Sequence, residues 1–279
     1  MSEDERSQIA REVIEASRGA APVAVATVIR APDGVQAGMG EKLLARRDGS
    51  RVGSLGGGAF EEAVAADCHA ALTRLPRTQV DSFFYAADGT RLHRLEAGAD
   101  EFEVMIEVTE RAPTLLIVGG GHVGQSIAAI AAIAGFSVAV LDDREAFANR
   151  ERFPAADQVI CGDFTEELRR FPIDDATYIV CVSRGHKVDE LSLREVVGSE
   201  AAYVGMIGSM RRVSTVLTHL AREGCPREAL ERVHTPIGLD IGAETPEEIA
   251  VSVVAELVVV RRGGTGQKLS QLRQARIRD

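Results

Sequence analysis

In Thr114-Leu115-Leu116-Ile117-Val118-Gly119-Gly120-Gly121-His122-Val123-Gly124 an unbroken apolar run meets a glycine bend. Such a run, with no polar alternation, describes a strand covered on both faces, as in a parallel sheet. Gly119-x-Gly121-x-x-Gly124 matches the dinucleotide fingerprint. In it the first glycine makes the turn, the second lets the backbone approach a pyrophosphate, and the third lets the helix pack close to the strand. The context agrees: a helix is predicted from Gln125 to Ala134, ended by Gly135, then a strand from Ser137 to Leu141 closing on Asp142. That is a complete βαβ unit. Asp142 lies about 20 residues beyond the first glycine, where a carboxylate reads a ribose 2′-OH. Arg144 offers a 2′-phosphate a partner instead, so NAD and NADP both stand.

Downstream, Gln158–Cys161, Tyr178–Val182, Tyr203–Ile207 and a short Val233-His234 read as further strands with helical segments between most of them. Alternating strands and helices call for an α/β, Rossmann-like doubly wound sheet, ordered 3-2-1-4-5 with an added edge. The last helix opens at Thr245-Pro246-Glu247-Glu248. Thr245 caps it, Pro246 takes the first helical position and Glu248 completes a capping box, with Ile249, Val253, Leu257 and Val260 as the apolar stripe. In such sheets ligands bind beyond the carboxyl ends of the strands. The unusual polar residues gather at those points: His122 after the first strand; Ser183, Arg184 and His186 after the fourth; Gly208, Ser209, Arg211 and Arg212 after the fifth; Asp240 and Glu244 before the last helix. They are expected to converge on one crevice, against the plainer alternative that Ser209 is only an N-cap and the rest are surface residues. Residues 263–279, from Gly263-Gly264 through Arg276 and Arg278, read as a basic solvated tail.

Upstream, the pattern changes at Arg111-Ala112-Pro113, which sets a smaller α+β domain over residues 1–112 and the Rossmann-like domain over 113–262. Ser2 and Glu5 form a capping box for an opening helix carrying Ile9, Val13 and Ile14. Val23–Ile29 is a strand closed by Pro32-Asp33-Gly34. Glu41–Arg46 and Arg51–Leu55 form a hairpin about Asp48-Gly49. Gly56-Gly57-Gly58 then feeds a helix bearing Phe60, Val64, Cys68 and Leu72 at four-residue spacing. The amides near Gly57 and Gly58 suit an anion, while Glu61 and Glu62 count against a phosphate there. Phe83-Phe84-Tyr85 and Phe102–Val108 supply more strands, the latter apolar on one face and mostly acidic on the other.

The chain has 279 residues and a net charge of −10, the wrong sign for a nucleic-acid or anionic-membrane partner. No apolar run approaches the roughly 20 residues of a membrane span, and the start Met1-Ser2-Glu3-Asp4-Glu5 is no secretory signal, so a cytoplasmic protein is expected. The four cysteines, Cys68, Cys161, Cys181 and Cys225, form no C-x-x-C pair, so no metal site is expected. Cys161 and Cys181 fall in predicted buried strands.

Gly53-Ser54-Leu55-Gly56-Gly57-Gly58-Ala59-Phe60-Glu61, the glycine bend with Asp142-Asp143-Arg144, Tyr203-Val204-Gly205-Met206-Ile207-Gly208-Ser209, and Pro236-Ile237-Gly238-Leu239-Asp240-Ile241-Gly242-Ala243-Glu244-Thr245-Pro246 occur in one order. In this the chain resembles the xanthine dehydrogenase accessory (XdhC/CoxI-like) family, over most of its length and most strongly from Pro113 to Arg262. The resemblance implies a non-catalytic accessory protein, commonly a homodimer. Such a protein binds molybdenum cofactor (molybdopterin or its dinucleotide), aids its sulfuration by a cysteine desulfurase, and helps insert it into xanthine dehydrogenase-type molybdenum hydroxylases. Val123, Asp143 and Glu61 enter the candidate site through this resemblance. Ala59 stands where the family carries a cysteine, so a thiolate contact is lost there. Ala31-Pro32-Asp33-Gly34 lacks the family's arginine. An NAD(P)-dependent oxidoreductase, with His122, His186 or Asp240 moving a proton, and a nucleotide-sensing regulatory module are the alternatives from other classes.

Overall fold

A computed structural model describes residues 2–32, 38–74, 80–94, 98, 101–183 and 185–271. The chain forms two compact units, Met1–Arg111 and Ala112–Asp279. The predicted turn at Asp33-Gly34, Arg184 and the arginines beyond residue 271 lie outside the described residues.

The first unit opens with α1 (Glu3–Ser17), where the Ser2 hydroxyl accepts from the Glu5 amide and the Glu5 carboxylate accepts from the Ser2 amide, as the capping box requires. Its inward stripe is Ile9, Val13 and Ala16, spaced by four and three residues. Ile14, expected on that stripe, is exposed, because five residues on from Ile9 a helix has turned well away from the core. Strands β1 (Val23–Arg30), β2 (Lys42–Arg46) and β3 (Arg51–Gly53) precede α2 (Gly58–Thr73). Strands β4 (Val80–Tyr85), β5 (Arg91–Leu92) and β6 (Phe102–Thr109) follow it. They form one antiparallel sheet ordered β3-β2-β1-β6-β4-β5. Helix α2 lays Phe60, Val64, Cys68 and Leu72 on one face among Leu43, Val104 and Ile106, with Phe60 stacked on Phe102 at 4.0 Å between ring centroids. Helix α1 covers Val25, Leu44 and Val52 on the other. Strand β6 alternates buried and half-buried residues throughout, the period-2 pattern expected of it.

The second unit runs β7 (Thr114–Val118), α3 (His122–Ile133), β8 (Ser137–Asp142), β9 (Gln158–Cys161), α4 (Phe164–Arg170), β10 (Thr177–Cys181), α5 (His186–Val196), β11 (Tyr203–Met206), α6 (Met210–Arg222), α7 (Arg227–Glu231) and α8 (Pro246–Arg262). All five strands are parallel, ordered β11-β10-β7-β8-β9, which is the predicted 3-2-1-4-5 arrangement read from the opposite edge. Successive residues of β7 feed opposite faces. Leu115 and Ile117 meet α3 and α8 through Ile127, Ala131, Val253 and Leu257, while Leu116 and Val118 belong with Leu168, Leu193 and Val213 of α4, α5 and α6. The added edge is reduced to one bridge, His234 beside Gly205.

Two expectations are corrected. Helix α3 begins at His122 rather than Gln125, because Gly121 adopts an extended N-cap conformation and the next residue is already helical. Cys161 is exposed rather than buried: it ends β9, which has a neighbour on one side only. Cys181, in the inner strand β10, is buried as expected. Thr245 and Glu248 form the capping box at the start of α8, and the chain after Gly263 is exposed as far as Gln271.

Candidate functional site

The site is built at the switch point of the sheet, where β7 lies between β8 and β10. Gly119 has φ +120°, and a Cβ there would stand 2.8 Å from the Ser183 amide nitrogen, so the ends of β7 and β10 touch only because that side chain is missing. A Cβ on Gly124 would be 2.0 Å from the Gly119 carbonyl oxygen, so α3 rests directly on the bend. Beside Gly121 a Cβ would meet nothing within 4 Å. The clear space lies at the N-terminus of α3, where the helix dipole favours an anion. His122 is exposed on the first turn, and Val123 is half-buried against the apolar face shared by α3 and α8.

Gly120 is clamped from both sides. Its amide donates to Asp142 Oδ2 at 2.8 Å, and its carbonyl accepts from Arg152 Nε at 2.9 Å. Asp142 is 1% exposed and also accepts from the Arg144 amide (3.1 Å), Arg144 Nε (2.9 Å) and Arg144 Nη2 (3.0 Å). Burial alone would raise this carboxyl, but the hydrogen bonds from Arg144 and Gly120 outweigh it and hold the group below the usual aspartate range. A carboxylate has about four acceptor positions, and here four protein N–H groups fill them. Asp142, where a ribose diol is expected, is in this structure bonded by the amides of Gly120 and Arg144 and by the Arg144 guanidinium. Arg144 is itself half-exposed and lies over the Phe147 ring at 3.9 Å, with Asp143 Oδ1 3.6 Å from its Nε. Arg152 approaches the same ring at 5.3 Å, and its Nη2 is buried without a hydrogen-bond partner.

At the end of β10 the Ser183 amide and hydroxyl both donate to Asp189 Oδ1, the hydroxyl at 2.5 Å. Asp189 Oδ2 pairs with Arg212 Nη2. The fully buried Asp189 thus ties β10 to the start of α6, where Ser209 caps the helix by accepting from the Arg212 amide and Gly208 lies against the Arg212 stem. Arg211 is exposed. His186 begins α5, and its side chain lies outside the described residues. Asp240 and Glu244 are exposed on a loop fastened to α8 by Leu239 and Ser252, and the Glu244 amide is taken up by Glu248. The structure therefore gathers Gly119, Gly121, Gly124, Asp142, Arg144 and Ser183 at one bend, and it adds Asp189 and Arg152. Sequence reasoning passed over both, since each reads as an ordinary polar residue of a helix or loop.

The glycine loop of the first unit is arranged differently. Glu61 Oε2 accepts from the Ser54 hydroxyl (2.6 Å), the Leu55 amide (2.6 Å) and the Gly57 amide (2.9 Å), while Glu62 pairs with Arg51 at 2.8 Å. Against the cost of burial, these bonds keep the Glu61 carboxyl below its usual range. The Gly57 amide, one of those expected to meet an external anion, is thus bonded from within the loop. Gly57 and Gly58 are exposed, as is Ala59.

A second polar network also went unread in the sequence. Tyr203 donates to Glu256 Oε2, the Gly238 amide donates to the same oxygen at 2.8 Å, and His234 Nδ1 lies 3.5 Å from Oε1. Tyr203 and His234 line a cavity of about 220 Å³ at the amino end of β11.

Comparison with known proteins places these features. A family model described as the XdhC Rossmann domain matches residues 115–257, and one described as the XdhC and CoxI family matches residues 16–81. The chain is 33% identical over 227 residues to the uncharacterized protein YqeB of Escherichia coli (strain K12), covering 81% of this chain and 41% of that protein. It is 34% identical over 162 residues to a probable subunit of xanthine dehydrogenase from Bacillus subtilis (strain 168), covering 57% of this chain and 46% of that protein. The chain thus spans less than half the length of these curated relatives. A crystal structure titled as a xanthine dehydrogenase from Bacillus halodurans superposes with a TM-score of 0.53 at 20% identity, over 91% of this chain and 96% of that one, a likeness of fold.

Proposed function

The chain belongs to the XdhC and CoxI family, and from that membership we propose that it is an accessory protein in the maturation of xanthine dehydrogenase-type molybdenum hydroxylases. In this role it binds molybdenum cofactor, supports its sulfuration together with a cysteine desulfurase, and passes it to the hydroxylase. The observation that carries the reading is the clear space beside Gly121 at the N-terminus of α3, bordered by Gly119 and Gly124, whose missing side chains let β7, β10 and α3 close on the bend.

The donor set suits the phosphate end of that cofactor. Main-chain amides and a guanidinium meet a phosphate or pyrophosphate, and among the described residues no group of three or more His, Cys, Asp or Glu side chains could hold a metal ion. When bound, the cofactor supplies the redox centre of the hydroxylase. This chain's part is to hold its anionic end in the crevice beside Gly121, to keep the bend rigid through Asp142 and Arg152, and to release it to the partner. Ala59, exposed where the family carries a cysteine, presents no thiol to a sulfur-transfer step. Among the described residues no helix is long and apolar enough to cross a membrane.

The test is to purify the chain from a cofactor-producing host and measure pterin fluorescence, then to assay activation of a xanthine dehydrogenase-type hydroxylase with and without it. Retained pterin and faster activation are expected. Absence of both sinks the reading.

A further inference from the structure

Taking the crevice at Gly121 as the ligand site proposed above, we infer that it selects a ligand presenting a phosphomonoester to Arg144 and rejects one offering only a ribose diol there. A diol is read by donating O–H groups to a carboxylate, and Asp142 has no acceptor position left: four N–H groups from Gly120 and Arg144 fill it. To admit the diol, the protein would have to break a bidentate pair on a carboxylate that is almost wholly buried.

Arg144 offers the opposite chemistry. Two of its five N–H donors face Asp142, its plane is fixed by stacking on Phe147, and its half-exposed fork remains turned to solvent. Arg152 adds a second guanidinium on the same ring. Its Nε is fixed to Gly120, and its buried Nη2 needs an acceptor that the protein does not supply. A dianionic phosphate offers acceptors to the outward N–H groups of Arg144, and bidentate arginine contacts to phosphate are among the strongest hydrogen bonds available. The same phosphomonoester chemistry occurs on the 2′-position of a dinucleotide and at the end of a phosphorylated pterin.

Calorimetric titration of the full chain with two matched pairs separates these sources. One pair is NADP against NAD. The other is the oxidised phosphopterin released from molybdenum cofactor, before and after phosphatase treatment. In at least one pair the phosphorylated member is expected to bind at least tenfold more tightly, and the pair that responds names the source. Arg144→Gln should reduce that ratio below threefold. If this variant melts early because Asp142 is left unpaired, the double variant Asp142→Asn with Arg144→Gln removes both charges and should give the same loss.

Equal affinity within both pairs, no binding of any probe, or a ratio that survives in the folded variant overturns the inference. Its fate is separable from that of the accessory role. An affinity ratio unchanged in folded Arg144→Gln, with pterin retention and hydroxylase activation intact in the parent, would refute only the selectivity. A phosphate preference without hydroxylase activation would refute only the role.

Discussion

Gly124 and the carbonyl oxygen of Gly119 face each other so closely that a Cβ on the former would stand 2.0 Å from the latter. Both partners are backbone, so neither can swing aside. Gly124→Ala should therefore cost about 1–3 kcal/mol, the usual range for overpacking, read as a lower urea midpoint at unchanged slope. Gly121→Ala, with clear space and ordinary φ, should leave stability within about 0.5 kcal/mol of the parent while reducing pterin retention. Equal effects of the two substitutions on stability would contradict the division of labour among the glycines.

Asp189 is the buried member of an ion pair with Arg212 and also anchors Ser183. Removing it alone strands a largely buried guanidinium, so Asp189→Ala should destabilise by about 3–5 kcal/mol. Replacing the pair together, Asp189→Leu with Arg212→Met, should recover most of that loss, since well-packed apolar pairs often match a buried ion pair. Chemical denaturation of the three proteins decides it.

Burial alone would push the Glu256 carboxyl up, but hydrogen bonds from His234, Tyr203 and the Gly238 amide overcome this and leave it below the usual glutamate range. A carboxyl lowered on folding contributes stability above its unfolded pKa, and that contribution is lost as pH falls through the folded value. Between pH 7 and pH 3 the parent should lose more unfolding free energy than Glu256→Gln does. Tyr203→Phe should cost about 1–3 kcal/mol at pH 7, the penalty for one unmade buried hydrogen bond.

Thiol labelling should follow burial. Burial pushes the Cys68 thiol up to about 12, with Asp67 adding to the effect, and burial also raises Cys181. At pH 8 a disulfide reagent should modify exposed Cys161 first and half-buried Cys225 more slowly. Cys68 and Cys181 should react only on unfolding. Rapid reaction of four thiols in the native protein would refute the packing described for β10 and α2.

What was legible in the sequence was local or periodic. The capping boxes at Ser2 and Thr245 span four residues, the glycine fingerprint six, and the strand order follows from alternation and handedness. What was not legible depends on partners brought together by folding. Asp189 meets Arg212 across 23 positions and Tyr203 meets Glu256 across 53, and no spacing rule foretells either pair. Asp142 and Arg144 are only two apart, yet whether the arginine turns back onto the carboxylate or out toward a ligand is a rotamer choice invisible in the sequence. Cys161 shows the same limit: edge and inner strands share a composition, and only the sheet order separates them.

The carboxylate of Glu61, folded back onto the amides of Leu55 and Gly57, is a competitor the chain carries on its own tether. A group held a few residues from its acceptor site acts at an effective concentration set by the connecting backbone rather than by the surrounding solution. An outside anion reaches the Leu55 and Gly57 amides only by displacing this tethered carboxylate.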